Sequence, residues 1–83
     1  MKIIKELQLN DMRIILTDWS SNQDGVICKD RTGKVMWSIK HEKHNPFTNI
    51  FVDQNELKIV KWNGGSYKIN IHNAEMKPDE FLK

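Results

Sequence analysis

The stretch TNIFVDQNELKIVKWNGGSYKINIHNAEM, residues 48–76, decides the fold class. It reads as three short strands joined by two tight turns, Asp53-Gln54-Asn55 and Asn63-Gly64-Gly65. Val, Ile, Phe, Trp and Tyr fill the strand segments, because β-branched and aromatic side chains pack well on a pleated surface. Asn, Asp and Gly punctuate them, since these residues tolerate turn dihedrals. A three-residue loop over 63–65 with a glycine bulge sets Ile59 opposite Ile69 and Leu57 opposite Ile71, which gathers apolar residues on one face. The same register puts Val60 and Trp62 on the reverse face with Ser66 and Lys68. A two-residue loop would pair Lys58 with Ile69, a poorer match for a buried face.

The same logic runs outward to both ends. Residues 2–9 fit either helical spacing (Ile3, Ile4, Leu7) or alternation (Ile3, Lys5, Leu7), and the short length favours a strand. Asn10-Asp11 is a two-residue turn. Residues 12–19 follow as a strand whose centre, Ile14-Ile15-Leu16, is apolar on both faces and so belongs inside the fold. After a polar loop over 20–24, strands at 25–29 and 34–40 flank Asp30-Arg31-Thr32-Gly33, where a type I turn followed by a left-handed Gly fits. Val35, Trp37 and Ile39 are expected on one face of the second of these strands, with Lys34, Met36, Ser38 and Lys40 on the other. The loop over 41–47 is the longest break, because Pro46 cannot donate to a ladder. Pro78, followed by Asp79 and Glu80, is placed for a short C-terminal helical turn. The expectation is one all-β domain over residues 1–83: a single antiparallel meander of six to seven short strands, as a twisted sheet or partial barrel.

Composition narrows the setting. The chain has 83 residues, near the size at which one core suffices without staples. Three Trp, three Phe and one Tyr supply bulky core material. Cys28 is the single cysteine, so no intrachain disulfide forms and a reducing, cytoplasmic setting is expected. The first residues carry no apolar run of signal-peptide length, and the longest aliphatic run is Ile14-Ile15-Leu16, too short to span a membrane. A formal charge of +2 does not by itself imply a nucleic-acid partner.

Asp18-Trp19, the run from Val26 to Trp37 (VICKDRTGKVMW) and the run from Trp62 to Ile71 (WNGGSYKINI) resemble the blade strands of bacterial β-propellers of the quinoprotein and WD type. Those repeats use a similar strand, an Asp-x-x-Gly-Lys turn and a strand ending in Trp. The resemblance covers residues 12–76. It implies a small, strongly twisted blade-like sheet, closed as a partial barrel or completed by self-association. A propeller needs about four or more blades, so one chain of this length cannot close one. Asn73-Ala74-Glu75 also stands where the repeat would carry Thr-Gly.

Groups able to carry chemistry are few. His41-Glu42-Lys43-His44 has its histidines three apart, not the four of a zinc helix, and precedes Asn-Pro in a loop. His72 and Cys28 would complete a set of four ligands, but nothing in the sequence brings them together. Cys28 lacks the electropositive setting that makes a nucleophile. Asp18, Asp24, Asp30 and Asp53 sit at strand ends and turns, where Asp serves the backbone. No catalytic residue, cofactor or metal ligand is assigned, and the protein is expected not to be an enzyme.

The aromatic residues are the better lead. Trp19, Trp37 and Trp62 interleave with Lys34, Lys40, Lys58, Lys61 and Lys68, a pattern compatible with a stacking platform beside phosphate-neutralising amines. The plainer reading packs Trp37 against Val35 and Ile39 and leaves the lysines for solubility. Trp62, with Tyr67, Val60, Lys58, Lys61 and Lys68 around it, is the candidate binding patch, as a lone Trp near a Gly-rich turn suits a protein hot spot. The leading expectation is a small non-enzymatic module that masks a larger protein partner, in the manner of immunity proteins or phage-encoded inhibitors. A nucleic-acid binder using Trp and Lys is the second, and a small-molecule binder at an oligomer interface is the third.

Overall fold

The computed structural model describes residues 2–19 and 24–78. Among them the chain forms eight strands: β1 (Ile3–Leu9), β2 (Met12–Thr17), β3 (Asp24–Lys29), β4 (Val35–Lys40), β5 (Phe47–Asp53), β6 (Glu56–Lys61), β7 (Ser66–Ile69) and β8 (Met76–Pro78). β1 to β4 pair in sequence order as one antiparallel sheet, and β5 to β8 pair likewise as a second. The all-β antiparallel expectation holds, but the single meander of six or seven strands becomes two sheets. The break falls at residues 41–46, where Pro46 lacks the N–H a ladder needs and Asn45 N–H turns back to Glu42 O at 3.1 Å. Two layers also bury one face of each sheet, which a single sheet cannot do. The thinnest extent, 18 Å, suits two layers spaced about 10 Å apart.

Leu9, Ile14, Leu16, Val26 and Cys28 of the first sheet meet Phe47, Ile50, Leu57, Ile59 and Ile69 of the second in one core. Polar ties also cross the layers, among them Trp37 Nε1–H donating to Ile71 O at 2.7 Å and Lys5 Nζ donating to Asn49 Oδ1 at 3.1 Å. Ile15 and Ile27 are cross-strand partners on the opposite face of the first sheet and are buried outside that core. The triplet Ile14-Ile15-Leu16 is thus buried throughout, as its two-faced apolar character predicts.

β1–β2 and β5–β6 share one layout. Each is a seven-residue strand, a two-residue turn and a six-residue strand. Each also carries one unpaired residue second in its first strand, Ile4 in β1 and Thr48 in β5. The sheets nonetheless stack front to back. Ile14 and Leu16 face the core, while their counterparts Lys58 and Val60 face away from it; Leu57 and Ile59 face the core, while their counterparts Arg13 and Ile15 do not.

Three details correct the sequence expectation. Cys28 pairs with Trp37 and Lys29 with Val35, so Met36 is an extra residue in β4. The bulge keeps Trp37 and Ile39 against the core but leaves Val35 51% exposed. The β6–β7 loop spans residues 62–64, not 63–65: Lys61 N–H donates to Gly65 O and Gly64 N–H to Lys61 O, each at 2.9 Å. Gly64 takes the left-handed position (φ 90°), and Asn63 Oδ1 accepts from Gly65 N–H at 2.9 Å. A one-residue shift of the loop moves the register by two, so Leu57 faces Ile69 and Ile59 faces Tyr67. A shift of two preserves the alternation, so Leu57, Ile59 and Ile69 face the core in either register. Finally, Pro78 ends the edge strand β8 rather than opening a helical turn, and residues 79–83 lie outside those described. An edge strand tolerates the missing N–H of Pro.

The β3–β4 turn matches its expected chemistry. Gly33 sits at φ 92°, and its N–H donates to Asp30 O at 3.0 Å. Asp30 Oδ1 accepts from Thr32 Oγ1–H (2.6 Å), Thr32 N–H (2.9 Å) and Lys34 N–H (3.0 Å). The Thr32 hydroxyl first, then the Lys34 amide, hold the Asp30 carboxyl below its ordinary range. A carboxylate whose folded pKa is depressed contributes stability above its unfolded pKa and loses it as pH falls through the folded one. Asp30→Asn is therefore expected to lower Tm at neutral pH, with the gap to the parent closing in acid. Thermal melts across the acid range read this directly; parallel loss in both proteins would show that the turn carboxylate contributes nothing.

Candidate functional site

The six residues of the candidate patch do not share one surface. Val60, Lys58 and Lys68 lie on the outer face of the second sheet, Lys61 and Tyr67 point to its core side, and Trp62 sits in the β6–β7 turn. Trp62 therefore does not share the face of Val60, because the loop begins one residue earlier than expected. Lys58 is buried and pairs with Asp53 at 3.2 Å, and Lys68 pairs with Glu56 at 3.6 Å. The Trp–Lys platform is not assembled either: Trp37 is turned to the core side, whereas Trp19 and Trp62 are 60% and 73% exposed.

What the structure does assemble is one end of the sandwich, where the crossover over 41–46 meets the β6–β7 hairpin. Lys61 is buried there with Nζ donating to Glu42 Oε2 at 2.8 Å. Its ammonium lies 5.0 Å from the Tyr67 ring centroid and 5.7 Å from that of Phe47, where the ring quadrupoles attract a cation. Trp62 N–H donates to Pro46 O at 2.8 Å, and Asn63 N–H to Asn45 Oδ1 at 2.9 Å. Phe47 N–H donates to His41 Nδ1 at 3.1 Å, so that nitrogen carries no proton; Nε2 carries it and donates to Thr17 O at 2.9 Å. One imidazole thus ties β2 of the first sheet to β5 of the second. Trp62 is exposed on a loop whose backbone is held at three consecutive residues.

The remaining candidates land apart. His41 serves the crossover, His44 is exposed in the 42–45 turn, His72 lies in the β7–β8 turn, and Cys28 is in the core. No group of three or more His, Cys, Asp or Glu side chains able to hold a metal gathers among the described residues. Burial, then the nearby Asp30 carboxylate, pushes the Cys28 thiol up, the opposite of nucleophile activation. A groove of about 310 Å³ between Glu56, Lys68, Ile69, Asn70, Glu75 and Lys77 is polar, with Glu56–Lys68 and Glu75–Lys77 ion pairs at 3.6 and 3.5 Å. It lacks the apolar lining of a small-molecule site. No helix among the described residues is long and apolar enough to cross a membrane.

Sequence reasoning missed His41, Glu42 and Asn45 as the clamp on the Trp62 loop. Asn45-Pro46 before an apolar strand marks a chain reversal, but no local pattern says which hairpin that reversal will meet. A family model described as a domain of unknown function (DUF7957) matches residues 2–81. No curated protein and no solved structure matches the chain.

Proposed function

This chain belongs to the DUF7957 family, and we propose that it is a non-enzymatic binding module that masks a larger protein partner, with Trp62 as the anchor. The observation that carries this reading is the combination of exposure and restraint at Trp62. Its side chain is open to solvent while its own N–H and those of its two followers are bonded to Pro46 O, Asn45 Oδ1 and, through Gly64, Lys61 O. An aromatic on a backbone already held in place has only its side-chain rotamers to order on docking, which suits a hot spot. The burial and pairing of Lys58 and Lys61 weigh against the phosphate-binding alternative, since neither ammonium is presented to a backbone. The polar lining of the groove gives no support to a small-molecule site.

Capture from the protein's own source, with Trp62→Ala alongside, tests the reading. Because the side chain is exposed, the variant should fold as the parent does. A single partner at one-to-one stoichiometry is expected, and Trp62→Ala should weaken it by about 2 kcal/mol or more, roughly thirtyfold in Kd. A partner held equally by the variant removes Trp62 as the anchor. Recovery of nucleic acid alone, released by salt, overturns the protein-binding reading.

A further inference from the structure

We propose that the end of the sandwich carrying Trp62 recognises an acidic protein surface with an apolar pocket, an inference that rests on the protein-binding reading above. Two tips lie side by side there. The 42–45 turn, closed by the Glu42–Asn45 bridge, presents Lys43 and His44 to solvent. The β6–β7 loop presents Trp62 and Asn63. Asn63 N–H to Asn45 Oδ1, Trp62 N–H to Pro46 O and Lys61 Nζ to Glu42 Oε2 staple the two together. The backbone segments that carry Trp62 and Lys43 are thus tied to one another.

The charge on these tips is one-sided. Lys58, Lys61, Lys68 and Lys77, the lysines of the second sheet, each have a carboxylate within ion-pair distance. Glu42, the carboxylate of the turn, is taken up by Lys61. Among the described residues no carboxylate stands within that distance of Lys43, while Lys40, just before the crossover, lies opposite Asp24 in the β3–β4 ladder. Trp19 follows β2 at this same end, beyond Thr17, whose carbonyl accepts a hydrogen bond from His41 Nε2–H. An unopposed lysine beside an exposed indole on a stapled backbone is complementary to a carboxylate at the rim of an apolar pocket, the kind of charge match that sets partner choice and encounter rate. A nucleic acid is the weaker fit. The single Lys43 ammonium neutralises one phosphate, and the affinity it supplies is correspondingly small.

The test is a set of backbone-amide NMR titrations with three probes. They are a short peptide of Glu and Asp around a central Leu-Phe pair, its Gln and Asn isostere, and an oligothymidylate of similar length. The acidic peptide should shift amides of residues 42–45 and 61–65, and Lys43→Glu should weaken it at least about tenfold. Lys34→Glu, in the turn region at the far end of β4, should leave it unchanged. Equal binding of the neutral peptide, tighter binding of the oligonucleotide, or no shifts at the two tips overturns the inference. The capture experiment separates the two readings. A partner lost with Trp62→Ala but kept with Lys43→Glu removes the acidic surface and leaves the binding module standing, whereas a partner kept with both removes the two together.

Discussion

Phe47→Ala is expected to cost about 3–5 kcal/mol, the range for truncating a fully buried aromatic residue. Phe47 is 2% exposed and belongs to the core shared by both sheets. It is also the first residue of β5, directly after the crossover, so its ring fixes where the second layer begins. The ring stands 5.6 Å from the His41 ring, centroid to centroid, and beneath the Lys61 ammonium. Losing it would empty the core and slacken the clamp on the Trp62 loop together. At about 0.05–0.15 kcal/mol per residue, a chain of this size holds only a few to about twelve kcal/mol in total. Urea unfolding followed by far-UV circular dichroism should therefore show a large fall in midpoint, or no cooperative transition at all. A loss below about 1 kcal/mol would contradict the placement of this ring in the core.

Gly25→Ala is the second large effect, and its cause is overpacking. A Cβ at Gly25 would stand 2.8 Å from Phe47 Cδ2 and 3.0 Å from both His41 N and Ile39 O. Two of those three neighbours are backbone atoms and cannot swing aside. Gly25 is the unpaired residue between the Asp24–Lys40 and Val26–Ile39 pairs, so the strand bends where the Phe47 ring approaches. The expected loss is at the upper end of the roughly 1–3 kcal/mol seen for added methyl groups in tight sites. Phe47→Leu in the same chain should recover part of it, because the ring carbon is one of the three obstacles and the backbone atoms remain. Additive losses in the double variant would mean that the two residues do not touch.

The candidate site was half legible. Trp62 stands out in the sequence as a lone Trp expected on the strand face with Val60 beside a Gly-rich turn, whereas the structure puts it in the turn itself. Lys58 and Lys61 join it because lysines interleave with the Trp residues along the chain, and Tyr67 joins it as a second aromatic anchor, yet nearness in sequence says neither which face a side chain takes nor which face is covered. Lys61 reads as a solvent lysine from its neighbours. In the fold it is inside, since Glu42 and two rings arrive from other segments to hold its charge. The clamp is non-local, and no pairing of Asn45 with Asn63 or of His41 with Thr17 is written in either stretch of chain.

Strand and turn chemistry by themselves determined what the backbone does locally. Asn10-Asp11, Asp30–Gly33 and the Gln54-Asn55 pair place the reversals where side chains tolerate them, and apolar alternation names one face of each strand. Tertiary packing decided how many layers there are and which face meets which. The two β-hairpins β1–β2 and β5–β6 repeat in length, turn and bulge, but not in apolar phase. The reason is their front-to-back stacking: the core lies on one side of the first sheet and on the non-equivalent side of the second. A repeat whose burial is inverted leaves no matching hydrophobic pattern, so only the packed structure reveals it.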